Sequence, residues 1–209
     1  MWNMYNLDDK KLYLVTDMFN FSFQELLQRV EKAIEGGCTI VQIREKSASS
    51  REFYERAMEM KELCEKHGAL FIVNDRIDIA LAVDAHGIHL GQSDLSIDIA
   101  KKILGKDKII GISANNIEDA KEAEEKGAHY IGVGAIFPTT TKNDAQHVDL
   151  NTLYHIQSHI NIPIYAIGGI NLDNACEISN KKIHGIAISS CILKANCPKE
   201  ASSTLKKLF

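Results

Sequence analysis

Residues 131–144 read IGVGAIFPTTTKND, and this stretch shows the pattern that decides the fold: an apolar run that ends in polar side chains. The apolar half has the composition of a buried strand, and Pro138 ends it because proline cannot donate a ladder hydrogen bond. Three threonines and Lys142 follow. Hydroxyls beside an ammonium group can hold an anion such as a phosphate. The alternative is a solvated loop with an ordinary surface lysine.

The same succession of apolar run, polar residues and helical segment recurs along the chain. The predicted strands are residues 12–16, 39–43, 70–73, 87–90, 108–112, 130–133, 163–167 and 185–188. The segments between them have helical spacing of apolar residues, and capping boxes at Ser22 with Glu25 and at Ser49 with Glu52 predict two of the helix starts. A further helix is predicted from Asn171 through Ile178. Alternating strands and helices predict a parallel sheet.

Eight strand–helix units in 209 residues predict an α/β protein with a closed (β/α)8 TIM barrel, formed by one domain over residues 1–209. An open doubly wound sheet is the alternative. The barrel is favoured because polar residues follow nearly every strand, and closure brings all of these strand ends to one face. His86, His129 and His184 each lie where a helix turns into a strand, on the opposite face. We therefore interpret them as loop residues and not as catalysts.

Composition limits the classes of partner. The net charge of −4 disfavours nucleic acid as the main partner. The chain has no run of 18 apolar residues, so no membrane span is predicted. The N-terminal residues lack the apolar segment of a secretory signal. The five cysteines are odd in number and show no C-x-x-C spacing, which predicts reduced thiols and a cytoplasmic location. Small molecules are the expected partners.

Three cations and two carboxylates follow the predicted strands and form a candidate site. The cations are Arg44, Lys46 and Lys142, and the carboxylates are Asp75 and Asp94. Mg²⁺ is usually bound by one or two carboxylates together with phosphate oxygens of a substrate. The pattern therefore predicts a Mg²⁺ site whose remaining phosphate charge is neutralised by the cations. The alternative roles are an Asx turn for Asp75 and a helix N-cap for Asp94.

A second anion site is predicted after strands 7 and 8, where TIM barrels commonly bind phosphate. The Gly168-Gly169 pair would let the backbone approach a ligand closely, and Ser189 and Ser190 could bind a phosphate monoester. Two tight turns are the alternative. His89, on strand 4, could line the pocket or pack against the barrel wall. Two anion sites at one mouth predict an enzyme that joins two phosphorylated molecules.

Five segments resemble the thiamine-phosphate synthase family. They are QIREK at 42–46, NDR at 74–76 continuing to GIHLGQSD at 87–94, GIS at 111–113, the stretch 131–144, and AIGGI at 166–170. The resemblance covers about residues 12–193 in the family's order. It implies a (β/α)8 barrel that joins 4-amino-2-methyl-5-hydroxymethylpyrimidine diphosphate to 4-methyl-5-(2-hydroxyethyl)thiazole phosphate. The implied products are thiamine phosphate and pyrophosphate.

The resemblance also implies roles for the motif residues. The implied contacts to the pyrimidine diphosphate and its pyrophosphate come from Gln42, Ile43, Arg44, Glu45, Lys46, Asn74, Ser113 and Lys142. The implied thiazole-phosphate contacts come from Thr139, Thr140, Thr141, Gly169, Ser189 and Ser190. Asp75 and Asp94 would bind Mg²⁺. The residues implied in catalysis are Arg44, Lys46, Ser113 and Lys142, with the cations stabilising the leaving pyrophosphate. Ser189 departs from the family, which often has an aliphatic residue there, so a backbone contact is expected.

Two other functions fit parts of the pattern. A thiazole tautomerase relative shares the barrel and the thiazole-phosphate pocket, but needs neither the metal carboxylates nor the pyrophosphate cations. A non-catalytic sensor of phosphorylated ligands could use the same scaffold and would bind without turnover. Asp75, Asp94 and Lys142 together favour the synthase.

Overall fold

The computed structural model describes residues 6–141, 146–179 and 183–209, and in these residues strands and helices alternate. The strands are β1 (Leu12–Val15), β2 (Ile40–Ile43), β3 (Leu70–Asn74), β4 (Gly87–Leu90), β5 (Ile109–Ala114), β6 (Tyr130–Val133), β7 (Ile164–Ile167) and β8 (Gly185–Ile188). The helices are α1 (Phe23–Glu35), α2 (Ser50–Lys66), α3 (Ile77–Ala82), α4 (Ile97–Leu104), α5 (Ile117–Glu125), α6 (Leu150–Gln157), α7 (Cys176–Ser179), α8 (Ser190–Leu193) and α9 (Pro198–Lys206).

The strands form a closed parallel barrel in sequence order. Closure is made by β8 pairing with β1, with Tyr13 opposite Ala187. The (β/α)8 barrel predicted from the sequence is confirmed, and the open doubly wound sheet is wrong. Each predicted strand overlaps an observed one, with ends that differ by no more than two residues.

The two faces of the barrel wall carry different side chains. Residues that point outwards pack under the helices in one large apolar cluster, which includes Val41, Phe71 and Ile110. Residues that point inwards form a second cluster, which includes Tyr13, Tyr130 and Tyr165. Neighbouring residues of a strand point to opposite faces, so most of the short apolar runs supply both clusters, whereas β4 supplies only the outer one. The three tyrosines are almost fully buried and fill the barrel interior below the mouth.

Side-chain caps start the helices much as predicted. Ser22 and Ser49 accept hydrogen bonds from the backbone N–H groups of Glu25 and Glu52. The helix predicted from Asn171 through Ile178 is confirmed only in its last residues, because α7 begins at Cys176. The Asn171 side chain accepts from the N–H groups of Asp173 and Asn174, which follow it in the turn before α7, and this satisfies its oxygen locally. No helix in the described part of the chain is long and apolar enough to cross a lipid bilayer.

The histidines that precede strands have structural partners. His86 Nδ1 accepts from the Phe71 N–H at 3.0 Å, and His129 Nδ1 accepts from the Ile110 N–H at 3.0 Å. His184 Nε2 lies 2.8 Å from the Leu7 carbonyl oxygen. Their placement in loops before β4, β6 and β8 is confirmed. Burial lowers the pKa of all three side chains, so the folded protein favours their neutral forms.

The backbones after β6 and β7 run side by side beyond the strand ends. The Ile136 N–H donates to Ile167 O at 2.9 Å, and the Phe137 N–H donates to Gly168 O at 3.0 Å. Gly168 and Gly169 have φ of +97° and +64°. A Cβ at Gly169 would lie 2.6 Å from the Phe137 carbonyl oxygen and would also overlap Pro138. The glycine pair therefore makes room for the loop after β6, and a close approach of a ligand to the same backbone stays a prediction.

The buried histidines should make stability depend on pH. Because the folded-state pKa of His129 is depressed, the unfolded chain takes up a proton first as the pH falls, and the folded state loses stability from about pH 6.5 downwards. We expect His129→Asn, which keeps an acceptor for the Ile110 N–H, to flatten this loss in urea unfolding measured between pH 7.5 and 5. The exposed His159→Asn is the control. If the unfolding free energy of His129→Asn falls with pH as steeply as that of the wild type, the attribution of this loss to His129 is wrong.

The contact between the two loops predicts unequal costs for two glycine substitutions. Gly68 has φ of +70° and no atom lies within 4 Å of the place that a Cβ would take, so Gly68→Ala should cost only the left-handed strain of about 1–2 kcal/mol. Gly169→Ala adds the overlap with Phe137 and Pro138 and should cost clearly more in the free energy of unfolding, measured in urea. Equal losses of unfolding free energy in the two variants would show that the loop at Phe137 and Pro138 can move to accommodate a Cβ without an energetic cost.

Candidate active site

A cavity of about 490 Å³ opens at the carboxyl ends of the strands. Its volume is typical of a small-molecule site. The sequence-predicted residues that line it are Gln42, Arg44, Lys46, Asn74, Asp75, Asp94, Ser113, Thr139, Thr141, Gly169, Ser189 and Ser190. Barrel closure therefore brings most of the candidate residues to one place.

One end of the cavity is acidic and begins at Asp75. This residue has φ of +60°, a left-handed conformation that aspartate tolerates better than most residues. Its Oδ1 accepts from Asn74 Nδ2 at 2.7 Å, and its Oδ2 accepts from Lys46 Nζ at 2.5 Å. An amide and an ammonium group from β3 and the loop after β2 therefore hold the carboxylate at the mouth.

Asp94 lies beside Asp75. Its Oδ2 accepts from the Gly91 N–H at 2.7 Å, while burial and then the charge of Asp75 raise its pKa. The predicted alternative role of Asp94 as a helix cap is wrong, because Ser96 caps α4. Two neighbouring carboxylates repel one another, and a cation between them would offset that repulsion.

The donor set decides which cation could fit. Within residues 6–141, 146–179 and 183–209, no group of three or more His, Cys, Asp or Glu side chains is placed to hold a metal ion. Two carboxylates suit a hard ion that keeps several waters and takes further oxygens from a bound phosphate, as Mg²⁺ does. Asp75 and Asp94 therefore fit such an ion.

Arg44 is held at the cavity by two residues of the segment that follows β1. Its Nη1 donates to Asp17 Oδ2 at 2.9 Å, and its backbone N–H donates to Thr16 Oγ1 at 3.1 Å. Asp17 was absent from the predicted site. It follows a strand directly, like the other candidates, so its position was an available signal.

Three of the sequence-based contacts are not supported by side-chain position. Ile43 is fully buried in the outer apolar cluster, because alternate residues of β2 point away from the barrel axis. Glu45 pairs with Arg56 at 3.0 Å, and burial raises its pKa. Thr140 is exposed and does not line the cavity, unlike the threonines on either side. Lys142 lies outside the described residues.

The other end of the cavity is rich in hydroxyl groups. The Thr141 N–H donates to Thr139 Oγ1 at 3.2 Å, which folds the loop after β6 into a turn. The buried Ser189 Oγ has no hydrogen-bond partner in the described part of the chain. Ser189 lines the cavity with its Oγ buried, so this side-chain oxygen is not exposed to a ligand in the structure.

Several lining residues were missed or left open by the sequence analysis. His89 lines the cavity, and its Nε2 lies 3.0 Å from Ser113 Oγ. Asn115 also lines it, whereas Asn116 caps α5. Gln146 contributes from the far end of the β6–α6 loop. Asn115 lies directly after the end of β5 at Ala114, which leaves it at the cavity, and Asn116 begins the next helix.

Comparison with known proteins agrees with this site. The family model described as thiamine monophosphate synthase matches residues 12–192. A thiamine-phosphate synthase from Ruminiclostridium cellulolyticum is 50% identical over 201 residues, with 96% of each chain covered. One from Methanobrevibacter smithii is 46% identical over 206 residues, covering 99% of this chain and 98% of the relative. The solved thiamine phosphate pyrophosphorylase from Pyrococcus furiosus superposes with a TM-score of 0.88 at 41% identity, with 97% of each chain covered.

These matches extend over nearly the whole chain at high identity. The chain therefore belongs to the thiamine monophosphate synthase family, and its function is that of a thiamine-phosphate synthase, a transferase.

Proposed function

We propose that this protein condenses 4-amino-2-methyl-5-hydroxymethylpyrimidine diphosphate with 4-methyl-5-(2-hydroxyethyl)thiazole phosphate, with Mg²⁺ held by Asp75 and Asp94. The products are thiamine phosphate and pyrophosphate. The partners are these small molecules, and a cytoplasmic location stays a prediction from the number and spacing of the cysteines.

The observation that carries the proposal is the division of one cavity into two ends. Asp75, Asp94, Lys46 and Arg44 line one end, where a diphosphate with a bound cation finds both carboxylate ligands and counter-charges. Hydroxyl-bearing residues line the other end, among them Thr139, Thr141 and Ser190, and hydroxyl groups can donate to the oxygens of a phosphate monoester. A reaction that joins a diphosphate to a phosphate monoester needs both ends in one cavity.

The proposed chemistry is a dissociative substitution. The bond between the pyrimidine methylene carbon and the diphosphate oxygen breaks, and both electrons leave with pyrophosphate. The lone pair of the thiazole nitrogen then forms the new carbon–nitrogen bond, so no protein base is required. Arg44 and Lys46 stabilise the negative charge that grows on the leaving group, since fixed charges need no rearrangement during the reaction. Bound Mg²⁺ would neutralise further charge on that group.

The arrangement also bears on the two competing functions. A tautomerase acting on a thiazole phosphate needs only the hydroxyl-rich end and gives no role to the Asp75–Asp94 pair. A sensor needs affinity but no stabilisation of a leaving group. The raised pKa of Asp94 shows that its charged form is disfavoured by burial and by the neighbouring Asp75 carboxylate. A cation bound between the two carboxylates would offset this cost, which favours a cation-dependent enzyme.

The proposal predicts pyrophosphate release that requires both substrates and Mg²⁺. Asp94→Asn removes one ligand charge and should lower kcat by about 100- to 1,000-fold, by analogy with the loss of other preorganised groups. Asp98→Asn removes an exposed carboxylate four residues away on α4 and should leave kcat unchanged. A coupled assay for pyrophosphate, with and without a chelator, measures both variants.

Other results of the same assay would contradict the proposal. Binding of the thiazole phosphate without any pyrophosphate release would favour the tautomerase-like or sensor function. Release that persists at the wild-type rate with the chelator, or in Asp94→Asn, would remove the metal assignment.

A further inference from the structure

A continuous row of hydrogen-bonded side chains crosses the barrel interior below the cavity. Gln42 Nε2 lies 2.6 Å from Tyr13 Oη, which lies 2.8 Å from Tyr130 Oη. Tyr130 Oη lies 3.1 Å from His89 Nδ1, and His89 Nε2 lies 3.0 Å from Ser113 Oγ. We call these five side chains the tyrosine relay. Both end residues line the cavity, so the row leaves the site at one wall and returns at another.

The donors of the relay can be assigned from its first member. The amide nitrogen of Gln42 can only donate, so Tyr13 Oη accepts there. Tyr13 is almost fully buried and has one hydroxyl hydrogen, for which Tyr130 Oη is the acceptor within reach. If Tyr130 donated to Tyr13 instead, the Tyr13 hydrogen would be buried without a partner, which is costly.

The donors and acceptors of the remaining three side chains follow in the same way, up to the cavity. Tyr130 Oη accepts from Tyr13, so its own hydrogen goes to His89 Nδ1. His89 is then the neutral tautomer that carries its proton on Nε2, and it donates to Ser113 Oγ. Because Ser113 Oγ accepts this hydrogen bond with one of its lone pairs, its own hydrogen can donate towards the cavity. Burial keeps both tyrosines protonated by raising the pKa of each well above its ordinary value.

Neighbouring glycines make room for the relay. Gly111 of β5 lies between His89 of β4 and Tyr130 of β6 in the sheet register. A Cβ at Gly111 would overlap the ring and hydroxyl of Tyr130. A Cβ at Gly132 would lie 3.2 Å from His89 Cε1. The His89 and Tyr130 rings stack with centroids 5.6 Å apart, so both rings have one well-defined place.

We propose that Tyr130 is a positioning residue for the synthase reaction, which acts through His89 to fix the Ser113 hydroxyl as a hydrogen-bond donor to the bound pyrimidine diphosphate. The inference rests on the proposed function for its substrate. It assigns a role in the reaction to a side chain that does not line the cavity.

The chain provides a matched control for Tyr130. Tyr165 belongs to the same buried cluster, and its ring lies 5.4 Å from the rings of both Tyr13 and Tyr130. Its hydroxyl, however, donates to the Lys10 carbonyl oxygen at 2.6 Å and takes no part in the relay. Tyr130→Phe and Tyr165→Phe therefore each remove one interior hydroxyl, but only the first interrupts the relay.

The first test is the tautomer of His89 in the substrate-free wild-type protein. Side-chain ¹⁵N NMR, assigned by comparison with His89→Asn, should show a bare Nδ1 and a protonated Nε2. Tyr130→Phe should shift His89 towards a mixture of tautomers, whereas Tyr165→Phe should not. A wild-type His89 with its proton on Nδ1 would overturn the proposal without any variant.

The second test uses pyrophosphate release. Tyr130→Phe should lower kcat about tenfold, the size expected when one hydrogen bond in the transition state is lost, and Tyr165→Phe should stay within about twofold of wild type. In a Ser113→Ala background, Tyr130→Phe should have almost no further effect, because the two changes act on one interaction.

The possible failures are distinguishable. Equal effects of the two phenylalanine variants, or a full tenfold effect of Tyr130→Phe in the Ser113→Ala background, would reduce Tyr130 to a packing residue and overturn the inference while the proposed function stands. Absence of pyrophosphate release from the wild-type protein would remove the proposed function itself.

Discussion

The parallel pairing of β8 with β1 is the constraint on which the rest of the structure depends. It joins Leu12, Tyr13 and Leu14 to residues near the other end of the chain and turns a row of strands into a ring. In a closed parallel ring every strand ends on the same side. Gln42 and Ser190 consequently face one cavity although most of the chain separates them. The site therefore depends first on closure of the barrel, which brings together residues from several separate motifs.

Closure also sorts the strand residues into two environments. The outward residues are covered by helices and are almost all aliphatic. Their packing stabilises the barrel wall and gives them no part in the reaction. The inward residues are more varied: large tyrosines fill the interior, and Gln42, His89 and Ser113 lie above or beside them. Polar groups are tolerated this deep because they bond to one another. The floor of the cavity therefore supports the chemistry as well as the fold.

The sequence predicted the strands, the Ser22 and Ser49 caps and many of the polar lining residues, because these depend on local periodicity and on position after a strand. It was incomplete where a distant contact shapes the chain. The Gly168-Gly169 pair lines the cavity and also makes room for the loop at Phe137, and Asn171 closes a turn that local rules could not separate from a helix start. Ile43 and Glu45 were included because their motif is contiguous, whereas a strand sends neighbouring residues to opposite sides. The tyrosine relay joins side chains of five strands and has no local pattern.

The layer of Tyr13, Tyr130 and Tyr165 has a consequence for side reactions. A pyrimidine methyl cation would be captured by any nucleophile that reaches it, and bulk solvent is the most abundant one. The tyrosine rings close the barrel beneath the cavity, so solvent can approach only from above. In the proposed reaction, hydrolysis would therefore be limited from below by the tyrosine layer, and from above by how well the substrates and the surrounding loops exclude water.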